Sequence, residues 1–479
     1  MRKNSLKANT FYSIIKSCST IIFPLITFPY ISRVLLAENI GKINFSNSIV
    51  SYFTMLASLG ITTYAVRECS HVKENIEELE NTSSEIFTIN ILTTILAYSL
   101  LAISLIVFPN LSSYKKLIVI QSINIIFVTL GADWINTALE DFKYITIRTF
   151  VFQLFSLVLM FLFVKEPRDY LKYAIITVIS SSGGNLLNIF YRRKYCKIKI
   201  VFHVNLKKHL LPIMTLFAMI LAQQIFVNSD TTILGIFKGD YQVGLYTTSV
   251  KIYNIINTFM SSIAWVVMPK LATSFAKKDF ENINDTLKFI VGFTATVGIP
   301  IVLGVFLLAS DIIKFIAGTE FINASGSLKI LAISLLFSLC WGVVMNMLLL
   351  PDGKDGICLK ACSVSAVFNI GFNLVLIPIW GLMAAACTTA VSQVIGFIIC
   401  LPHLNEKIRF YIPKSLILSI LIGGMSIVVI CFFNKLILMD NSFFLIITVI
   451  ECAIIYLLIQ LIFKNYWILD MFSSIKKRF

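Results

Sequence analysis

Residues 23–68 read FPLITFPYISRVLLAENIGKINFSNSIVSYFTMLASLGITTYAVRE. Two apolar runs, each long enough to cross a bilayer, flank a short connector. Together they carry Pro24, Pro29, Arg33, a series of small polar residues and the pair Arg67–Glu68. A plain membrane anchor needs none of these, because a helix in lipid satisfies its own backbone and pays heavily for a buried charge. The stretch reads as the first gated hairpin of a transporter, which the remainder of the chain repeats and completes.

Outward from this hairpin the chain stays apolar. Hydrophobic residues make up 57% of the 479 and charged residues 14%, against about a quarter charged in a soluble domain. Apolar runs of roughly 20 residues, the length that spans a hydrocarbon core of about 30 Å, recur to the C-terminus. Ten-residue alternating segments, the signature of a barrel, are not seen. The pattern predicts an all-α polytopic membrane protein of about fourteen transmembrane helices. They lie near residues 10–35, 43–66, 85–108, 116–138, 145–164, 170–191, 210–236, 242–268, 287–309, 327–350, 356–376, 379–401, 413–433 and 441–463.

The formal charge of +15 would suggest nucleic acid in a soluble protein, but here its distribution is a topology signal. With the N-terminus inside, most of the 40 Lys and Arg residues fall in cytoplasmic segments, so both termini are placed in the cytoplasm. The most basic connector, YRRKYCKIKIVFHVNLKKH at 191–209, divides the chain. Residues 1–191 are expected to form one six-helix lobe, 192–209 a basic cytoplasmic linker, 210–401 a second six-helix lobe, and 402–479 an additional helix pair with a basic tail. Arg2, Lys3 and Lys7 precede the first run as in a signal peptide, but that run is too long and lacks a convincing cleavage site. Disulfides are not expected from the ten cysteines, which lie in apolar runs or inner loops. The four histidines (71, 203, 209, 403) stay at cytoplasmic segments, so no metal cluster or cofactor is expected.

The two lobes echo one another. Ile40-Gly41 precedes NFSNSIVSYF in the first, and Val243-Gly244 precedes LYTTSVKIYNIINTF in the second. A polar break follows each, Arg67–Glu68 and Pro269–Lys270. Two pseudo-symmetric bundles, both starting from the cytoplasm, follow from this repeat.

Charged residues within spans face a cavity or a partner, because burial at a helix centre costs roughly 2.5–3.5 kcal/mol on insertion scales. Arg33 and Lys251 occupy related positions in the two lobes. Arg33 either snorkels to the outer headgroups or lines a cavity; Lys251 sits too deep to snorkel easily. Asp230 is open to an ion pair with Lys251 or to a proton-carrying role, and Asp133, in GADWINTALED, is a second coupling candidate. Arg148 begins the fifth span. A cationic lining suits a phosphate or pyrophosphate group, while Asn44, Ser46, Asn47, Ser48 and Ser51, with Gln223, Gln224 and Asn228, could meet sugar hydroxyls or bond between helices. Pro24 and Pro29 in span one, and Pro300 in span nine, are candidate hinges. Walker, HExxH and Gly-x-Ser-x-Gly motifs are missing from the sequence, as is a long outer loop, so no enzyme is expected.

The segments PLITFPYISRVL at 24–35, NIGKINFSNSIVSYF at 39–53 and LASLGITTYAVRE at 56–68 resemble the polysaccharide flippases of the multidrug/oligosaccharidyl-lipid/polysaccharide exporter superfamily, which export O-antigen or capsule repeat units. VGLYTTSVKI at 243–252 is a weaker second match. The resemblance implies two helical lobes facing a central cavity, and alternating access for an undecaprenyl-pyrophosphate-linked oligosaccharide in the bacterial inner membrane. It also implies membrane lipids, a polysaccharide polymerase and a chain-length regulator as partners, with no nucleic acid. Arg33, Arg67 and Glu68 carry over by motif. A cation-coupled drug exporter of the same superfamily is the alternative, and a membrane polymerase or ligase the enzymatic rival.

Overall fold

The computed structural model describes residues 6–202, 204–438 and 443–469. Arg2, Lys3, His203 and the tail from 470 lie outside them. Every regular element among the described residues is helical, as lipid demands of a chain whose backbone polar groups must pair internally. Two compact units result, residues 1–244 and 245–479. The division falls after the helix that follows the basic linker.

In the first unit, α1 (Leu6–Ser58) is two helical arms joined at Leu36, whose φ of 66° and ψ of 171° leave the helical region. Pro24 and Pro29 lie inside the first arm, so neither proline is itself the break. Leu59 and Gly60, both left-handed, end α1 and start α2 (Ile61–His71). Next come α3 (Ile76–Val107), α4 (Lys115–Gly131) and the short α5 (Trp134–Ala138). Helix α6 (Phe142–Phe163) is followed by α7 (Tyr170–Val178), α8 (Gly184–Tyr191) and α9 (Leu206–Lys238). The acidic residues Glu77, Glu78 and Glu80 lie in the first turns of α3, which the Asn75 side chain caps by accepting from the Glu78 amide at 3.3 Å.

Helix α10 (Asp240–Ala276) runs from the first unit into the second, which continues with α11 (Phe280–Phe293), α12 (Ile299–Leu307), α13 (Ala309–Ala317) and α14 (Ser325–Gly342). The order ends with α15 (Asp355–Trp380), α16 (Leu382–Cys400), α17 (Lys414–Ile437) and α18 (Phe444–Ile462).

Eleven stretches among the described residues are long and apolar enough to cross a membrane, twelve with the bent α10. The first, Ile15–His71, holds 57 residues; at 1.5 Å per residue that is about 85 Å, too long for one crossing of a core of about 30 Å. Divided at Leu36 it supplies the two spans expected there, and α9 covers the expected seventh. The helices are thus compatible with fourteen spans. Each unit packs its own core: Tyr64, Leu79, Ile86 and Ile135 are buried in the first, and Leu271, Leu287 and Ile290 in the second. Outward faces such as Leu92, Ile106 and Leu421 stay exposed, as lipid-facing residues do in a polytopic membrane protein.

Candidate functional site

At the kink of α1, Arg33 is exposed and donates from Nη1 to the Pro29 carbonyl, one turn back. Three residues on, Leu36 holds a backbone conformation open almost only to glycine, at a cost of about 1–3 kcal/mol. Its side chain is 39% exposed and contributes little packing. Leu36→Gly is therefore expected to raise the melting temperature of the detergent-solubilised protein; a lowered value would mean that the leucine side chain, and not the backbone, governs this position.

Just past the kink, the two repeat-related glycines meet. A Cβ on Gly41 would overlap the Asp240 carbonyl, and a Cβ on Gly244 would overlap the Ala37 carbonyl. The arrangement is reciprocal, since Ala37 and Asp240 each lie one turn before their own glycine. Small residues let two backbones approach this closely.

Along the second arm, Asn47 is exposed. The neighbouring hydroxyls turn onto their own helix: Ser46 donates to the Lys42 carbonyl at 2.7 Å, Ser48 to Phe45 at 2.7 Å and Ser51 to Ser48 at 2.6 Å. Ser48 also accepts from Thr232 of α9 at 3.0 Å, and Tyr52 meets Thr232 at 3.1 Å. Asp230 is buried on that helix. Asn228 donates to the Gln224 carbonyl at 3.3 Å, and the Gln223 side chain lies outside the described part. Of the serine and asparagine series, then, Asn47 keeps its side chain outward, while three hydroxyls are spent inside the fold.

The far end of the hairpin carries the other cation. Arg67 pairs with Glu68 at 3.2 Å, and its guanidinium lies 5.6 Å from the Tyr64 ring centre. Residues 37–58 alone make about 33 Å of helix, so Arg33 and Arg67 serve opposite ends of the second arm and do not share one site. Beneath Arg67 lies a cluster whose pairing sequence reasoning missed. Tyr64 meets His209 Nδ1 at 2.7 Å, and His209 Nε2 meets Glu85 at 2.7 Å. His209 and Tyr64 are buried, and the three side chains tie α2, α3 and α9 together. The one signal was a histidine at the inner edge of an apolar run.

Asp133 is engaged by Arg148, whose Nη2 donates to it at 2.8 Å and to Asn185 at 3.1 Å. Asn136 donates to Asp133 at 3.3 Å, and Asn188 to the Gly131 carbonyl at 2.8 Å. The coupling candidate thus sits in an ion pair with a buried guanidinium.

The second unit is built differently. Lys251 is half-buried on α10, and residues two positions to either side of it make uncharged hydrogen bonds. Ser249 donates to the Ala324 carbonyl at 2.9 Å, and Gln393 donates to Tyr253 at 2.9 Å. Pro300 opens α12 behind a π-helical stretch, Thr294–Gly298. Proline has no N–H for the carbonyl of residue 296; Tyr456 supplies the missing donor from α18 at 2.9 Å, and Asn465 reaches the Thr296 hydroxyl at 3.0 Å. This candidate hinge is therefore braced from a neighbouring helix. Beside it lies an apolar cavity of about 420 Å³, lined by Pro300, Gly304, Ile427, Cys431, Cys452 and Tyr456 among others. Glu451 of α18 accepts from Asn434 of α17 at 2.5 Å.

Two family models match the chain: "Polysaccharide biosynthesis protein" over residues 6–275 and "Lipid II flippase MurJ" over residues 241–475. An uncharacterised membrane protein of Methanocaldococcus jannaschii is 24% identical, with 94% of this chain and 95% of that one covered. A putative O-antigen transporter of Shigella dysenteriae is 22% identical over 78% of this chain and 94% of its own. Among solved structures, the lipid II flippase MurJ in an inward closed conformation superposes with a TM-score of 0.77 at 19% identity, covering 96% of this chain and all of that one.

Proposed function

The chain belongs to the polysaccharide biosynthesis protein family, as a flippase of the multidrug/oligosaccharidyl-lipid/polysaccharide exporter superfamily, and from that premise we propose that its cargo is an undecaprenyl-pyrophosphate-linked oligosaccharide. It takes the repeat unit of an O-antigen or capsular polysaccharide from the cytoplasmic leaflet and releases it on the outer face by alternating access, making and breaking no covalent bond. It works in the bacterial cytoplasmic membrane with both termini inside, and hands its cargo to a polymerase and chain-length regulator.

The observation that carries this reading is the placement of Arg33 and Lys251, cations at related positions of two repeat-related apolar spans. A pyrophosphate must be neutralised while it crosses a low-dielectric core, and a cation there is tolerated where it has such a partner. The outward Asn47 suits a sugar hydroxyl. The apolar cavity at Pro300 suits a stretch of polyprenyl chain beside a braced hinge. Coupling falls to Asp133 or Asp230, or to net charge movement, worth about 2.3 kcal/mol per charge per 100 mV.

The test is a strain lacking the protein, with radiolabelled lipid-linked oligosaccharide assayed for the leaflet it occupies. Complete units accumulate on the cytoplasmic side, and re-expression clears them. Normal outward appearance without polymer would instead identify an enzyme, and normal polymer with altered sensitivity to cationic drugs would identify a drug exporter. In the same strain, Lys251→Ala inserts normally and leaves the units inside. Full clearance by that variant would return Lys251 to a packing role.

A further inference from the structure

The connector between α8 and α9 does not loop out into solvent. Residues 196–202 run without helix or turn along the start of α3. Three backbone amides dock on side chains of that helix: Lys197 on Glu80 at 2.8 Å, Lys199 on the Ser84 hydroxyl at 3.1 Å and Val201 on the Thr88 hydroxyl at 3.0 Å. The spacings match, since two extended residues advance about 6.6 Å and four helical residues about 6.0 Å. Alternate amides thus find acceptors on successive turns. Cys196 is buried at the head of this strap, where desolvation pushes its thiol up to about 11.

The strap descends from the acidic first turns of α3 toward Thr88, where that helix has already turned apolar. At its lower end Phe202 is 96% exposed and Ile200 58%; Lys197 and Lys199 are exposed on the alternate positions. Extended backbone sends successive side chains to opposite faces: the even positions start on the core, with Cys196 buried and Ile198 packed against it, and run past its edge at the exposed Ile200 and Phe202, while Lys197 and Lys199 take the opposite face. Arg193 and Lys194 stand just before it.

We propose that residues 193–202 form an interfacial anchor for anionic phospholipid, with Phe202 and Ile200 set below the headgroups and Lys197 and Lys199 on lipid phosphates. Helix α8 ends before this connector and α9 begins after it, so the chain turns back here between two spans, as it does at a membrane surface. The choice of lipid rests on reading that surface as cytoplasmic, where the leaflet is negative and basic segments beside a span are drawn to it.

The whole protein is placed in nanodiscs of phosphatidylcholine alone, or of equal parts phosphatidylcholine and phosphatidylglycerol. Lys197 and Lys199 are then acylated with a water-soluble ester and mapped by mass spectrometry. Phosphatidylglycerol slows both about fivefold, the factor that corresponds to about 1 kcal/mol per cation near an anionic surface, and high salt restores the rate. A photo-reactive benzoylphenylalanine at position 202 crosslinks to phospholipid. Equal acylation in the two discs, or crosslinks only to protein, would overturn the anchor. No substrate enters these measurements, so their failure is separate from any failure of the cargo assignment.

Discussion

Gly41→Ala and Gly244→Ala are each expected to lower the melting temperature of the purified protein more than any other added methyl. Inserting a methylene into a packed core commonly costs about 1–3 kcal/mol, because side chains can shift to receive it. Here the new Cβ would meet a main-chain carbonyl instead, Asp240 in one case and Ala37 in the other, and both carbonyls belong to long helices. The helices must separate, and the expected cost is about 3 kcal/mol or more, above that usual range. Gly356 and Gly371 on α15 provide the control, since a Cβ there meets nothing within 4 Å. Alanine at those positions should be neutral or stabilising by up to about 1 kcal/mol through helix propensity. If all four variants melt alike in detergent, the close crossing is not what holds α1 against α10. If only the first two fall, a substitution at either member should also abolish polysaccharide export, because the pair lies just past the strained Leu36.

This crossing shows how far the sequence could be read. The glycines stood out as matched members of a repeat, and apolar run length gave the helices and their order. Contact between the two glycines was beyond reach, since spacing along a chain says nothing of which faces of two helices meet. The same gap hid the Tyr64–His209–Glu85 cluster, whose members lie 145 and 124 residues apart. In a soluble protein, amphipathicity would point each helix inward; helices such as α17 and α18 are apolar nearly all round, so their rotation is not written in their pattern. Pro300 was legible as a bend because proline lacks a donor, whereas its brace by Tyr456, from a helix far along the chain, was not. Leu36 had no local signal, since leucine is an unlikely residue for its backbone conformation.

Arg148→Ala is the second large effect expected. The Arg148 side chain is 5% exposed and that of its partner Asp133 32%. Removing one partner of a buried ion pair costs about 3–5 kcal/mol, since the other charge stays behind unpaired. The lower end applies here, as Asp133 keeps some access to water and the Asn136 amide at 3.3 Å. Asp133→Asn is comparably costly for the opposite reason, leaving a deeply buried guanidinium with neutral acceptors only. The double variant Arg148→Met with Asp133→Leu should melt near the parent, since replacing both charges by apolar side chains of similar size leaves no buried charge unpaired, so its loss falls well below the sum of the single losses. Thermal melts of the four proteins close the cycle, and additive losses would mean that the pair is not an energetic unit. The folded double variant also separates two roles for Asp133. If Asp133 only holds α6 against the end of α4, polysaccharide export by the double variant follows its restored stability. Should Asp133 carry the coupling proton, the double variant melts near the parent yet leaves the lipid-linked oligosaccharide inside, because a leucine holds no proton to exchange. Export at the parental level would leave Asp230 as the remaining coupling candidate among the two.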